Sequence, residues 1–239
     1  MYRFSFAASR LWKNTVPIGA DEFLAAPSSW MQEHSLRQID LRHANLFHHA
    51  QYTARHGFEI QADGLSFCYN KFQPLWANVS FTVAGGDVVG VIRKNGAGKS
   101  TLIRVLMGLE KQQHGNIRLD NKRASPRQRR RDSFYVMQDV DYQLIAATVL
   151  EEMLLGTSGN EQDKKQALNI LQKFGLTSYA AAHPSQLSGG QKQRLSIALA
   201  YMSNAKIIFM DEPTSGLDAE NMELVSDAIT ELAMKGCCL

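Results

Sequence analysis

Lys94-Asn-Gly-Ala-Gly-Lys-Ser-Thr101 stands between an apolar run and a helical stretch, and its reading decides the fold. Before it, Asp87-Val-Val-Gly-Val-Ile92 is short and apolar, suited to a buried strand. After it, Lys99 to Met107 predicts a helix. Strand, Gly-rich turn and helix together are the setting a phosphate-binding loop requires. Glycines let backbone N–H groups turn inward, and the start of the helix adds partial positive charge. Lys99 is then placed to reach the β- and γ-phosphates and Ser100 to hold Mg²⁺. The candidate cradle is Asn95, Gly96, Ala97, Gly98, Lys99, Ser100 and Thr101. The common pattern G-x-x-x-x-G-K-[ST] has its first glycine where this chain has Arg93, and Gly90 lies three positions too early to replace it. Because a Cβ resists the left-handed or close-approach geometry that glycine supplies, Arg93 is expected to point outward.

Outward from this loop the chain alternates strand and helix. Lys206-Ile-Ile-Phe-Met210 reads as a strand ending directly in Asp211-Glu212, which suits one acid touching Mg²⁺ and a second activating the attacking water. Three helices follow from spacing: Ala167, Ile170, Leu171, Phe174; Leu195, Ala198, Leu199, Met202; and Leu224, Val225, Ala228, Ile229, Leu232. Upstream, Phe58–Ile60, Leu65–Tyr69 and Val79–Val83 read as short strands separated by Asp-Gly, Asn-Lys and Gly-Gly turn signals, a small antiparallel region. The fold class is α/β, a mostly parallel sheet covered by helices.

Leu187-Ser-Gly-Gly-Gln-Lys-Gln-Arg194 resembles the signature sequence of ABC ATPases. Asp211-Glu-Pro-Thr-Ser-Gly-Leu-Asp218 is similar to the family's extended Walker B and D-loop, Val136-Met-Gln138 to its Q-loop, and Tyr69 to the aromatic that stacks on adenine. The resemblance spans about residues 58 to 239, with the motifs in the family's order. It implies a P-loop NTPase core with a helical signature subdomain at about 139–190. It also implies catalytic roles for Glu212, Gln138 and Lys99, metal ligands Ser100, Gln138 and Asp211, and ATP contacts from Tyr69, Gln138, Ser188, Gly189, Gly190, Gln191 and Asp218. Ser188, Gly189 and Gly190 would touch ATP held by a second cassette, so a homo- or heterodimer is implied. The segment from about Asp139 to Leu155 would meet integral membrane subunits. Met137-Gln-Asp-Val-Asp-Tyr-Gln-Leu144, followed by Thr148-Val-Leu-Glu-Glu152, looks most like the cassettes of energy-coupling factor importers, which take up vitamins and transition-metal ions.

The remaining sequence narrows the surroundings. With 239 residues, 44% of them hydrophobic, the chain can bury a sizeable core, and a net charge of +3 gives no sign of a nucleic-acid partner. No apolar run approaches the roughly 20 residues of a membrane-spanning helix. A cytoplasmic protein, peripheral on the inner face of the cell membrane, is expected. Cys68, Cys237 and Cys238 form neither a metal-ligand spacing nor a disulfide framework. Residues 1–57 show no sustained period and read as a linker or the tail of an upstream domain. The acid-free first twenty residues faintly resemble a mitochondrial presequence, and His34, His43, His48, His49 and His56 lack the spacing of a metal site. Ser125-Pro-Arg-Gln-Arg-Arg-Arg-Asp132 reads as a solvated surface loop.

The expected function is an ATPase subunit of an importer, coupling Mg-ATP binding and hydrolysis in a cassette dimer to separate membrane subunits. Two alternatives stand beside it: a soluble ABC protein acting on ribosomes or DNA, and a hydrolysis-poor fragment of a two-cassette chain. The second alternative draws on the end of the sequence. Family cassettes continue into a further core strand and a histidine that contacts the γ-phosphate, and neither is expected after Met234.

Overall fold

The computed structural model describes residues 37–41, 44–49, 56–70, 74–92, 96–214 and 217–239. They fall into two units: one within Ala25–Phe134, Ala205–Phe209 and Leu232–Leu239, the other within Tyr135–Asn204 and Met210–Glu231.

In the first unit, β3 (His56–Phe67) pairs antiparallel with β4 (Trp76–Gly85) on one side and β6 (His114–Leu119) on the other, and β6 carries the short β7 (Lys122–Arg123). The sequence places a turn at Asp63-Gly64. The strand instead runs through it, with a register shift between Ala62 and Leu65 and Gly64 at φ +59°. A bulge of this kind absorbs the irregularity without reversing the chain. The Gly64 N–H donates to Ser80 Oγ at 2.8 Å, so a donor lost from the ladder keeps a partner. Ile60, Leu65, Val79, Val83 and Ile117 are buried in one cluster with Leu102, Val105 and Leu106 of α1 (Lys99–Met107). That packing fixes the helix whose N-terminus follows the Gly-rich loop.

Of the strands expected in the parallel sheet, β5 (Val88–Ile92) and β9 (Ile207–Met210) belong to separate sheets. Cys237–Leu239 lies between them. The Gly86 N–H donates to Cys237 O (3.0 Å) and the Val89 N–H to Leu239 O (2.7 Å), while the Leu239 N–H returns to Asp87 O (3.0 Å). On its other side the Cys238 N–H donates to Lys206 O (2.9 Å) and the Ile208 N–H to Cys238 O (2.8 Å), a parallel bridge. Cys237–Leu239 thus has backbone partners on both sides, at β5 and at β9.

Two further differences concern segments read as irregular. Within residues 1–57, β1 (Arg37–Leu41) and β2 (Ala44–His49) form an antiparallel pair, and β2 continues onto β5 with Phe47 opposite Gly90. Backbone pairing of this kind needs no apolar alternation. The arginine run is helix α2 (Pro126–Asp132), capped by Ser125 Oγ accepting the Gln128 N–H at 3.2 Å. Arg129 is buried, and its Nη1 donates to Val105 O (2.6 Å) and Leu106 O (3.2 Å), while Arg130 Nη1 donates to Gly108 O (2.6 Å). These are carbonyls at the C-terminus of α1, where cations and donors are favoured. Burial, with Arg130 nearby, lowers the Arg129 pKa from its ordinary value.

The second unit is helical: α3 (Val149–Leu154), α4 (Glu161–Lys173), α5 (Gly189–Met202) and α6 (Ala219–Met234), whose last residues fall in the first unit. The faces read from spacing are the buried ones, among them Ala167, Leu171, Phe174, Leu195, Ala198, Val225 and Ala228. Asn160 caps α4 by accepting the Asp163 N–H at 2.8 Å, with Glu161 and Asp163 in the first turn and Lys173 in the last, in accord with the helix dipole. Lys173 Nζ donates to Tyr201 OH (3.1 Å) and to Glu231, joining α4, α5 and α6 at one point.

Candidate functional site

In the first unit the Gly-rich loop is described from Gly96; Arg93, Lys94 and Asn95 lie outside the described residues. Gly96 has φ +79° and Gly98, the N-cap of α1, φ +87°, a region L side chains rarely enter. A Cβ on Gly98 would also stand 2.5 Å from Leu75 Cδ2 and 3.1 Å from Trp76 Cδ1, so this glycine is required twice over. Among the described residues no side chain caps α1, and no acid stands in its first turn, which leaves the amide end of the helix suited to an anion. Lys99 and Ser100 occupy the first two helical positions. Tyr69, 67% exposed, is held edge-on to Phe67 (centroids 5.0 Å apart) and shares a 2.8 Å hydrogen bond with Thr101 Oγ1. The predicted stacking aromatic is thus anchored to the first turn of the predicted phosphate helix.

In the second unit the acidic pair closes β9. Asp211 is buried, its N–H donates to Val136 O at 3.0 Å, and Tyr135 OH donates to its Oδ2 at 3.1 Å. Both partners belong to β8 (Ser133–Val136). Glu212 is exposed, adopts φ +51°, and accepts a hydrogen bond from Gln138 Nε2 at 3.1 Å. A left-handed glutamate costs about 1–2 kcal/mol, strain that the neighbouring bonds must hold in place. Gln138 and Glu212, 74 residues apart, were both predicted and are brought together.

Ser188 caps α5 in a reciprocal box: its Oγ accepts the Gln191 N–H (3.4 Å) and Gln191 Oε1 accepts the Ser188 N–H (2.8 Å). A Cβ on Gly189 would meet nothing within 4 Å, and one on Gly190 only Leu217 Cδ2 at 3.6 Å. Packing among the described residues therefore does not require glycine at either position. Asp218 serves α6, its Oδ1 accepting the Asn221 N–H at 2.8 Å. Ser215 and Gly216 lie outside the described residues.

A model of the ABC transporter family matches residues 76–215, more than half of the chain. The chain belongs to the ABC transporter family. Among similar proteins, the manganese transport system ATP-binding protein MntB of Bacillus subtilis is 34% identical over 187 residues, covering 75% of this chain and 74% of that one. The energy-coupling factor transporter ATP-binding protein EcfA2 of Methanospirillum hungatei is 33% identical over 186 residues, 74% of this chain and 47% of that one. The fold is similar to the dimeric structure of the bacterial ABC transporter cassette MJ0796, with TM-score 0.65, 28% identity, and coverage of 75% and 85%. The chain spans about a third of the length of the first curated relatives it matches.

Within this ABC cassette, sequence reasoning missed Tyr135 and the anchoring of Tyr69. Tyr135 gives no local signal, because its partner lies 76 residues away. Tyr69 was singled out for its ring, whereas its hydroxyl is what ties it to Thr101.

Proposed function

We infer that this chain is the ATP-binding and hydrolysing subunit of an importer, in which two cassettes close on Mg-ATP and reopen after hydrolysis to drive separate membrane subunits. The observation that carries the reading is Gln138 bonded to Glu212 beside the buried, tyrosine-held Asp211. Glu212 accepts a proton from the water that attacks the γ-phosphate in line, and the Gln138 N–H fixes one carboxylate oxygen for that task. Lys99 binds the β- and γ-phosphates, with Asn95, Gly96, Ala97, Gly98 and Thr101 offering backbone donors, and Tyr69 offers its exposed ring to the adenine.

The donor set fits Mg²⁺. Ser100 and Asp211 are hard oxygen ligands, and Gln138, donating through Nε2, has its amide oxygen for a metal. A bound Mg²⁺ would neutralise charge on the phosphates, with Ser100, Gln138 and Asp211 as the oxygen donors proposed to hold it.

Ser188, Gly189, Gly190 and Gln191 support a second cassette as partner. Two helical glycines that packing among the described residues does not require suit a surface approached closely by a ligand, here the γ-phosphate of ATP on the partner. A membrane partner suits Asp139–Leu155, where Tyr142 and Ile145 are nearly four-fifths exposed. Among the described residues no helix is long and apolar enough to cross a membrane; the proposed place of the chain is peripheral, on other subunits at the cytoplasmic face. The importer reading draws on residues 137–144 and on MntB and EcfA2, whose names state transport. Residues 58–239 form the cassette, with 139–190 its signature subdomain.

Fractionation of cells producing the full-length protein tests the assignment. It should sediment with membranes and co-purify with integral membrane proteins. Recovery with ribosomes or DNA instead would contradict it.

A further inference from the structure

Gln143 follows the 3₁₀ turn Val140–Tyr142 and uses a single atom twice. Its Oε1 accepts the Met137 N–H at 3.3 Å and the Ser196 Oγ–H at 3.3 Å. Met137 immediately precedes Gln138, the residue bonded to Glu212. Ser196 is fully buried on α5, the helix that starts at the signature residues Ser188–Gly190. One turn nearer that start, Lys192 Nζ meets Asp141 Oδ1 at 2.5 Å, but Asp141 is two-thirds exposed and such pairs contribute little. The shared acceptor is therefore an inward polar link between the segment carrying Gln138 and the helix carrying the signature.

We propose that Gln143 is a positioning residue: its amide oxygen keeps the Gln138 segment in register with the signature helix, so that Gln138 presents Glu212 correctly for hydrolysis. This rests on Glu212 being the base of an ATPase. The role is that of an acceptor and not of bulk. A carboxylate at this position can accept the same N–H and O–H, whereas a methionine of similar size offers only a weakly accepting thioether. Without the acceptor, Met137 and Ser196 each lose a partner, and the Gln138 segment is free to shift against α5 on the scale of about 1 Å. Misplacement on that scale lowers rate more than it lowers affinity for the bound nucleotide.

The test is steady-state hydrolysis of Mg-ATP by the full-length protein and its Gln143→Met, Gln143→Glu and Ser196→Ala variants, with kcat and KM separated. Gln143→Met is expected to lower kcat by about tenfold or more with KM changed less than about twofold. Gln143→Glu is expected to recover kcat to within about threefold of the unaltered protein, because it restores the acceptor. Should Gln143→Met fail to fold, Ser196→Ala removes one donor with little change of volume and is expected to lower kcat in the same direction. Equal kcat for Gln143→Met and Gln143→Glu, or a change confined to KM, would overturn the proposal, as would a Ser196→Ala variant that folds and hydrolyses normally. Absence of hydrolysis from the unaltered protein would overturn the ATPase reading with it. Hydrolysis that is present there and indifferent to Gln143→Met would overturn only the role of Gln143.

Discussion

Replacing Gly98 by alanine isolates what holds the phosphate loop in shape. The residue sits at φ +87° as the N-cap of α1, and an added Cβ would lie 2.5 Å from Leu75 Cδ2 and 2.7 Å from Leu75 Cγ. Left-handed backbone at an L-residue costs about 1–2 kcal/mol. Crowding of a packed site adds about 1–3 kcal/mol, at the lower end if Leu75 can swing aside. Gly98→Ala should therefore destabilise the first unit by about 2–5 kcal/mol. Gly96→Ala is the internal control, since Gly96 has φ +79° but a Cβ there would meet nothing within 4 Å. It should lose only the backbone part, about 1–2 kcal/mol. Urea unfolding of both variants, with ATP titration alongside, reads the difference. The Leu75→Ala change should offset part of the Gly98→Ala loss, a coupling expected of neighbours in contact. If the two glycine variants lose equal stability, or if Leu75→Ala offsets nothing, the contact does not shape the loop and the reasoning fails.

Three further outcomes follow from particular side chains. Lys99→Ala should weaken ATP binding by at least about 10-fold, the loss of charge-assisted bonds to phosphate, and an unchanged dissociation constant in a titration would remove this loop from the site. Arg129→Ala should destabilise the first unit by about 2–4 kcal/mol, because Val105 O and Leu106 O lose buried partners, a result denaturant melts can check against a much smaller effect at exposed Arg127. Burial, with Asp87, Cys237 and Asp120 nearby, pushes the Cys238 thiol from 9.0 up to about 12. A raised pKa of this kind contributes stability that is present below pH 9 and lost as pH rises towards 12, so Cys238→Ala should flatten the fall in stability above pH 9, and Cys238 should resist thiol reagents until the protein unfolds.

What was legible in the sequence had local causes. α4, α5 and α6 are legible because apolar residues recur at helical spacing, although α5 is buried on all sides from Leu195 to Met202, and α1 and the phosphate loop because glycines and a lysine stand between an apolar run and a helical stretch. What escaped depended on distant partners. Arg129 reads as a surface charge until the carbonyl end of α1, more than 20 residues earlier, supplies acceptors. Asp63-Gly64 reads as a turn until β4 and β6 hold both sides of the strand through it. Cys237–Leu239 reads only as a tail after the last helix, yet it exchanges backbone hydrogen bonds with β5 on one side and with Lys206 and Ile208 on the other. Tyr135 lies outside every motif and Gln143 within one that assigns it no role, and only the fold brings them to Asp211 and to Met137 and Ser196.

The central claim is that Glu212 activates water on ATP bound through the phosphate loop. Its most direct test is Mg-ATP binding and steady-state hydrolysis measured side by side for the full-length protein and its Glu212→Gln variant. The amide keeps the shape and loses the basicity, so ATP binding should stay within about threefold while hydrolysis falls by about 10² or more, and ATP should drive the variant into a stable dimer. Hydrolysis that survives the substitution undiminished, or loss of ATP binding together with hydrolysis, would contradict the account.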